Sequence, residues 1–449
     1  MKADTLIVNA TLVGPDGLSE GAAVAIDGRH IAAVGTTGTL DCDASETVDA
    51  RGALLFPGLI DSHAHYREPG LEHKGNIATE SRAAIAGGVT SFIDMPNTKP
   101  ATVDAETLND KYMRAERSSS ANYGFFLAAS DRTPAIIPTI DRSLLPGIKL
   151  FLGTTTGAMA APAERALEDL FRLCADMNLP IMVHAEDDSL IAAAAAEAIA
   201  RYGSREAVPV SEHHIIRSRE ACLRATARAV ELAMRFGTRL HIAHVSTADE
   251  VREFLSSGPV SGKQITAETT PLYLDPVLCE PSARTHRHKI NPAVKLPGDA
   301  EALREALADG RIDTIGTDHA PHLESEKLGG ALTAASGAPS VQFALDVMLE
   351  YLRPELIARA MAANPAAIFA IGGRGRIETG MAADLTLVEH TSGHIISDAD
   401  VITPAQWTPF AGREIHHRVA RVWVNGREAF DSTHLASPGA AERLLFGLA

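Results

Sequence analysis

The chain has 449 residues, with 41 Lys and Arg against 57 Asp and Glu, for a net charge of −16. That balance offers no general attraction to polyanions, so nucleic acid and anionic membrane surfaces are disfavoured as partners. With 45% apolar residues the chain is not a disordered one, and its length accommodates one large barrel plus a satellite unit.

The N-terminal stretch MKADTLIVNATLVGPDG has an interrupted apolar run and no signal-peptide pattern. It reads as small β structure. Leu6-Ile7-Val8 and Thr11-Leu12-Val13 are followed by Val24-Ala25-Ile26, then Asp27-Gly28, then Ile31 to Val34. An Asp-Gly pair between apolar runs is a hairpin signal, because Gly takes positive φ at little cost. The far end behaves alike: Leu385 to Val388 is strand-like, and Val422-Trp423-Val424 meets an Asn425-Gly426 turn. The two ends are expected to build one small β domain, from residues 1–56 and 365–449.

The middle, residues 57–364, alternates short apolar runs with helical patterns such as Glu164 to Met177 and Glu220 to Arg235. The runs are Leu54 to Ile60, Val89 to Met95, Tyr123 to Ala128, Ile148 to Leu152, Ile181 to Val183, Leu240 to Val245, Gln264 to Ala267 and Ile312 to Ile315. Such alternation predicts parallel strands with crossover helices. Eight units over roughly 260 residues match a (β/α)8 TIM barrel, with an open doubly wound sheet as the second choice. The most apolar helical run, Leu190 to Ala200, is short and carries Glu197, so no membrane span is expected. Cys42, Cys174, Cys222 and Cys279 have no metal-type spacing and suit a reducing, cytoplasmic compartment.

The strand ends carry the chemistry. After the first run comes Asp61-Ser62-His63-Ala64-His65-Tyr66-Arg67, and residues two apart in an extended segment share a face. Asp94-Met95-Pro96-Asn97 ends the second run and Lys149 sits in the fourth. His184 ends the fifth, His244 the sixth, and Asp318-His319-Ala320-Pro321-His322 follows the eighth. Barrel enzymes place their active sites at the carboxyl ends of their strands. Each residue alone has a bland reading: a hydrogen-bonded histidine, a snorkelling lysine, a helix-capping aspartate. Together on separate strand ends they have no common structural reason and point to a metal site. His213-His214, His286, His288 and His416-His417 lack such placement, and Glu268 reads as structural.

Imidazole plus carboxylate suits Zn²⁺ with an open position for water. Two metals need a bridging anion, and no acid stands at the Lys149 position. A carbamate formed from the neutral amine and CO₂ would serve, and it requires a depressed lysine pKa.

In order, GLIDSHAHYREPGLEHKGN, AAIAGGVTSFIDMPNTKP, GIKLFLGTTTG, IMVHAED, HIAHVST, KINPAVK, GTDHAPH and GAPSVQ resemble the dihydroorotases of the amidohydrolase superfamily. REPG, MPNT and TDHAPH together separate that family from most relatives. The resemblance implies a metal-dependent (β/α)8 barrel with a small β-sandwich domain from both chain ends. It implies interconversion of N-carbamoyl-L-aspartate and L-dihydroorotate in pyrimidine synthesis. His63, His65 and Asp318 match ligands of one zinc, His184 and His244 those of a second, and Lys149 a carboxylated bridging lysine. Asp318 also matches the general acid/base. Arg67, Asn97 and His322 match residues that hold the substrate carboxylate, and Asn291 a substrate-contacting asparagine. Gly337-Ala338-Pro339 resembles a segment that closes over the ring. A homo-oligomer, dimer or tetramer, is implied, with aspartate carbamoyltransferase as a candidate partner.

Two motifs depart from the family pattern. Thr270-Pro271-Leu272-Tyr273 replaces a usual His-His pair and looks closer to hydantoinases, and NPAVK replaces NPPLR. Against hydantoinase, no Tyr follows Lys149 within Leu150 to Thr154; against allantoinase, MPNT replaces its usual segment. A non-catalytic scaffold subunit is the alternative of a different class, disfavoured by the intact set of site residues.

Overall fold

The structure is a computed structural model that describes residues 1–154 and 161–447. Residues 155–157 of the GIKLFLGTTTG motif lie outside the described residues.

Both chain ends build one sheet. Its strands are β1 (Lys2–Gly14), β2 (Gly17–Asp27), β3 (His30–Thr36), β4 (Asp43–Asp49) and β5 (Leu54–Pro57). The order is β17-β16-β15-β5-β1-β2-β3, with β4 also on β1, where β15 is Leu385–Ile395, β16 Glu414–Val424 and β17 Arg427–Phe430. Ile7, Val24, Ile26, Val48, Leu55, Leu385, Leu387 and Trp423 form its core. Both hairpin signals form turns: Asp27 pairs with His30 across Gly28 (φ 56°), and Val424 pairs with Arg427 across Asn425 (φ 47°) and Gly426 (φ 77°).

The barrel strands are β6 (Leu59–Ala64), β7 (Val89–Asp94), β8 (Asn122–Phe125) with β9 (Leu127–Ala128), β10 (Ile148–Phe151), β11 (Ile181–His184), β12 (Leu240–Ile242), β13 (Ile265–Thr269) and β14 (Thr314–Ile315). Pairing is parallel throughout, in the runs β6-β7-β8 and β9-β10-β11-β12-β13-β14. The ring closes where Ala64 bridges His319 and the His65 amide donates to the His319 carbonyl at 2.7 Å. The fold is a (β/α)8 barrel carrying a small β sandwich made from both chain ends. No described helix is long and apolar enough to cross a membrane.

Alternation along each strand sorts side chains between the barrel interior and the helices outside. On β10, Ile148 and Leu150 join the outer core while Lys149 and Phe151 face the cleft. At the amino end, Ile60, Ile93, Phe126 and Met182 pack on Ile368, Phe369, Leu444 and Phe446 as an apolar plug. The lower interior is thereby filled with apolar side chains, which leaves the carboxyl end for polar groups.

One apolar run divides. Leu54 to Ile60, expected as a single barrel strand, is cut at Gly58. β5 pairs antiparallel with β15 in the terminal sheet, and β6 begins the barrel. His63 consequently lies on β6 itself and not beyond its end. Gly58 is the pivot: its amide donates to the Asp384 carbonyl at 2.7 Å, and a Cβ there would strike Thr90 Oγ1 and lie 2.6 Å from Asp384 Cβ. Overpacking of this kind costs about 1–3 kcal/mol. Gly58→Ala is expected to lower the melting temperature by several degrees; an unchanged melting curve would show that the pivot yields freely.

Candidate active site

Sequence spreads His63, His65, Arg67, Asn97, Lys149, His184, His244, Asn291 and Asp318 over several segments; the structure brings all of them to one cleft. Phe151, Ala320, Ser336 and Gly337 complete its walls.

His63 is the hub. Its Nδ1 is 2.6 Å from Glu268 Oε1, which turns Nε2 toward Lys149 Nζ at 3.3 Å and Asp318 Oδ1 at 3.5 Å. Glu268 also accepts from Ser62 Oγ at 2.9 Å and is wholly buried. Burial opposes its ionisation, but His63 and His241 outweigh it and hold the carboxyl well below its usual range. Holding one imidazole nitrogen by a carboxylate fixes the ring and makes the other nitrogen a better ligand. Glu268 was read from sequence as structural; the signal that placed it here was its position at the carboxyl end of β13. A Cβ at Gly316 would meet this carboxylate and lie 2.8 Å from His63 Cβ, so the GTDHAPH glycine leaves the room both need.

His65 repeats the pattern with an amide. Its Nδ1 donates to Asn97 Oδ1 at 2.9 Å and its Nε2 faces Asp318 Oδ1 at 3.1 Å. Burial lowers its pKa to about 4, so the ring is neutral at neutral pH. Burial opposes ionisation of Asp318 as well, and His63 and His65 outweigh it, holding the carboxyl below its usual range as an anion. On the far side, His184 Nδ1 lies 2.9 Å from His244 Nε2. Burial lowers both pKa values, and His244 Nδ1 is buried without a hydrogen-bond partner among the described residues. Lys149 stands between the two groups, its pKa lowered by burial to about 8.

The donor set fits a metal ion. One ligand atom each from His63, His65 and Asp318 lies within 4.8 Å of the others. Neutral imidazoles, an ionised carboxylate and a buried imidazole nitrogen with no partner are what a cation requires. Arg67, His244 and Asp318 hold left-handed backbones, at φ 66°, 41° and 45°. Strain of this kind in non-glycine residues persists where surrounding contacts over-determine it, and it clusters at functional sites.

Arg67 is buried, 5% exposed, with Nε donating to the Pro321 carbonyl at 3.0 Å. Its Nη2 approaches the His322 ring at 3.2 Å. His322 is therefore behind Arg67 and not on the cleft wall. Its Nε2 donates to the Ser336 carbonyl at 3.1 Å and its Nδ1 faces Lys74 Nζ at 3.2 Å. Burial, then Arg67, Lys74 and Lys327, keep this ring neutral. The variant Tyr273 also has a place: its buried hydroxyl donates to the Pro292 carbonyl, steadying the turn that presents Asn291. Outside the cleft, His213 donates to the Ile290 carbonyl, and His416 and His417 share Glu350.

Imidazoles, a carboxylate and an amine converging at the carboxyl end of a parallel barrel define a class, the metal-dependent hydrolases of that fold. A family model described as the amidohydrolase family matches residues 54–429. The chain is similar to a dihydroorotase of Halobacterium salinarum, 36% identical over 397 residues, covering 87% of this chain and 89% of that protein. It is similar also to an allantoinase of Rubrobacter xylanophilus, 31% identical over 461 residues, covering 99% and 98%. Among solved structures, an L-hydantoinase from Arthrobacter aurescens superposes with a TM-score of 0.88 over 99% of this chain and 100% of that one. At 23% identity that likeness speaks to the fold. The chain belongs to the amidohydrolase family.

Loss of a carboxylate that orients a metal-binding histidine costs about 10–100-fold in metal affinity. Glu268→Gln is expected to keep the fold and to lose metal to a chelator at a correspondingly lower concentration. Retention equal to the parent protein would mean His63 is held by other contacts.

Proposed function

We propose that this chain is a dihydroorotase, interconverting N-carbamoyl-L-aspartate and L-dihydroorotate in pyrimidine synthesis. The observation that carries the reading is Arg67. A buried guanidinium lines the cleft; among the described residues it donates to a carbonyl and stands against a histidine ring, with no carboxylate in reach of a hydrogen bond. Such a cation calls for an anionic ligand, and a guanidinium matches a carboxylate in geometry. Dihydroorotate carries a carboxylate on its cyclic amide; hydantoin, dihydrouracil and allantoin do not. The relatives named dihydroorotase, at 36% and 31% identity over most of the chain, support the choice.

In this reading His63, His65 and Asp318 would hold one zinc ion and His184 and His244 a second, with Lys149, as a CO₂-derived carbamate, supplying an anionic ligand to the pair. Bound there, the pair supplies Lewis-acid polarisation of the amide carbonyl and a more acidic water. The chain's own groups do the rest. Arg67 and Asn97 grip the substrate carboxylate, so the scissile amide is presented to the attacking water in a fixed orientation. His322 serves the same carboxylate through Arg67. Asn291, with the Ser336–Gly337 backbone, holds the ring edge. Asp318 takes the proton of the attacking water on its carboxylate and returns it to the ring nitrogen as the C–N bond breaks. In ring closure it takes the proton from the ureido nitrogen and gives it to the departing water.

Lys149 suits carbamate formation. With a pKa of about 8 the amine is neutral in roughly a tenth of molecules at pH 7, against roughly one in three thousand at the ordinary value. The neutral nitrogen attacks CO₂ and loses one proton, leaving an anion. The reading carries with it a cytoplasmic homo-oligomer, dimer or tetramer, and aspartate carbamoyltransferase as a candidate partner, since that enzyme class makes the linear substrate.

Assayed side by side, the zinc-loaded protein is expected to turn over dihydroorotate and not hydantoin, dihydrouracil or allantoin. Turnover of an uncharged ring instead assigns it to the hydantoinase or allantoinase reading, and no turnover to a scaffold. Arg67→Met is expected to lower kcat/KM for dihydroorotate about a hundredfold, the size of a truncated buried charge contact. Protein prepared in ¹³C-bicarbonate should give a carbamate carbon signal that Lys149→Ala lacks. Two tightly bound zinc ions per chain in Lys149→Ala would overturn the bridging role.

A further inference from the structure

Two buried lysines, Lys289 at the head of the KINPAVK motif and Lys327 outside every quoted motif, meet beside the cleft. Lys327 is fully buried, and its Nζ donates to the carbonyls of Lys289 at 2.7 Å, Ala335 at 3.0 Å and Gly337 at 2.7 Å. All its N–H donors are thus used on backbone oxygens. Lys289 Nζ donates to the Ala334 carbonyl at 2.6 Å and to Ser336 Oγ at 2.8 Å. The Gly337 amide returns a bond to the Lys289 carbonyl at 3.0 Å. The Lys327 Nζ also lies 5.7 Å from the centre of the buried Trp407 ring.

The segment they grip is irregular chain between residues 334 and 337, and Ser336 and Gly337 form one wall of the cleft. Gly337 sits at φ +133°, where a Cβ would lie 2.6 Å from the Ala320 carbonyl, so its path leaves little slack. The Ser336 carbonyl holds the His322 ring, and that ring backs Arg67. An irregular segment lacks a ladder to fix its carbonyls, and buried donors persist only where hydrogen bonds satisfy them. Each half of the contact therefore requires the other.

We propose that Lys327 and Lys289 are positioning residues: a two-lysine clasp that holds the 334–337 wall and, through Ser336 and His322, aims Arg67 at the substrate carboxylate. This rests on the assignment of Arg67 as the carboxylate clamp. The clasp touches no reacting atom, so its loss falls mainly on binding of the carboxylate and only slightly on the chemical step.

The test uses Lys327→Met and Lys289→Met in the full-length, metal-loaded protein, with folding checked by circular dichroism. Lys289→Met breaks fewer bonds and serves if Lys327→Met fails to fold. Expected are a KM for dihydroorotate raised about tenfold with kcat within threefold, and faster amide exchange in peptides spanning residues 330–340. The double variant should be little worse than the poorer single one, because both act on one segment. A fall in kcat at unchanged KM, or unchanged exchange in that segment, overturns the clasp. Exchange needs no substrate, so it decides the clasp even where dihydroorotate proves not to be turned over, an outcome that would sink the functional reading alone.

Discussion

The contact between Glu268 and His63 is the one on which the rest of the site depends. A wholly buried carboxylate is tolerated only where hydrogen bonds and positive charge compensate it, and Glu268 has Ser62, His63 and His241 about it. In return it fixes the ring that stands closest to everything else. The His63 ring centre is 5.5 Å from that of His65 and 5.3 Å from that of His244, and its Nε2 faces both Lys149 and Asp318. A small rotation of this ring would disturb both halves of the proposed metal pair.

Below that layer the interior is filled, and above it the backbone is forced. The apolar plug at the amino end excludes water and supports the strand ends from beneath. At the carboxyl end, buried carboxylates hold the chain in place. Asp61 accepts from the Thr317 amide at 2.9 Å and the His63 amide at 3.2 Å, and Asp94 accepts from the Tyr66 amide at 2.6 Å. These bonds flank the left-handed residues Asp318 and Arg67, where the strain of about 1–3 kcal/mol per residue must be offset by its surroundings. The C-terminal part of the chain takes part too: the Trp407 indole donates to the His322 carbonyl at 2.8 Å, behind the proposed carboxylate clamp.

Much of this was legible in the sequence, because the cues are local. Period-two alternation places Lys149 and Phe151 on one face of β10, and Asn425-Gly426 allows only a tight turn. His63 and His65 share a face for the same reason that alternate residues do. What is not local was misjudged or missed. The run Leu54 to Ile60 is uniformly apolar, and nothing in it marks that Gly58 hands the chain from one sheet to another. His322 reads as a cleft residue from its motif, yet its ring lies behind Arg67. Lys289 is quoted only as part of KINPAVK and Lys327 not at all, since their partners are mostly backbone carbonyls that no residue type announces.

The sequence by itself determined the barrel, the terminal β unit and the kinds of group gathered at the strand ends, because hydrophobic period and turn chemistry act over a few residues. Only the tertiary structure decided which of those groups face one another, which are neutral, and which hold their neighbours. Those outcomes depend on burial and on contacts between residues 205 apart, as with His63 and Glu268, and such contacts exist only once the barrel has closed.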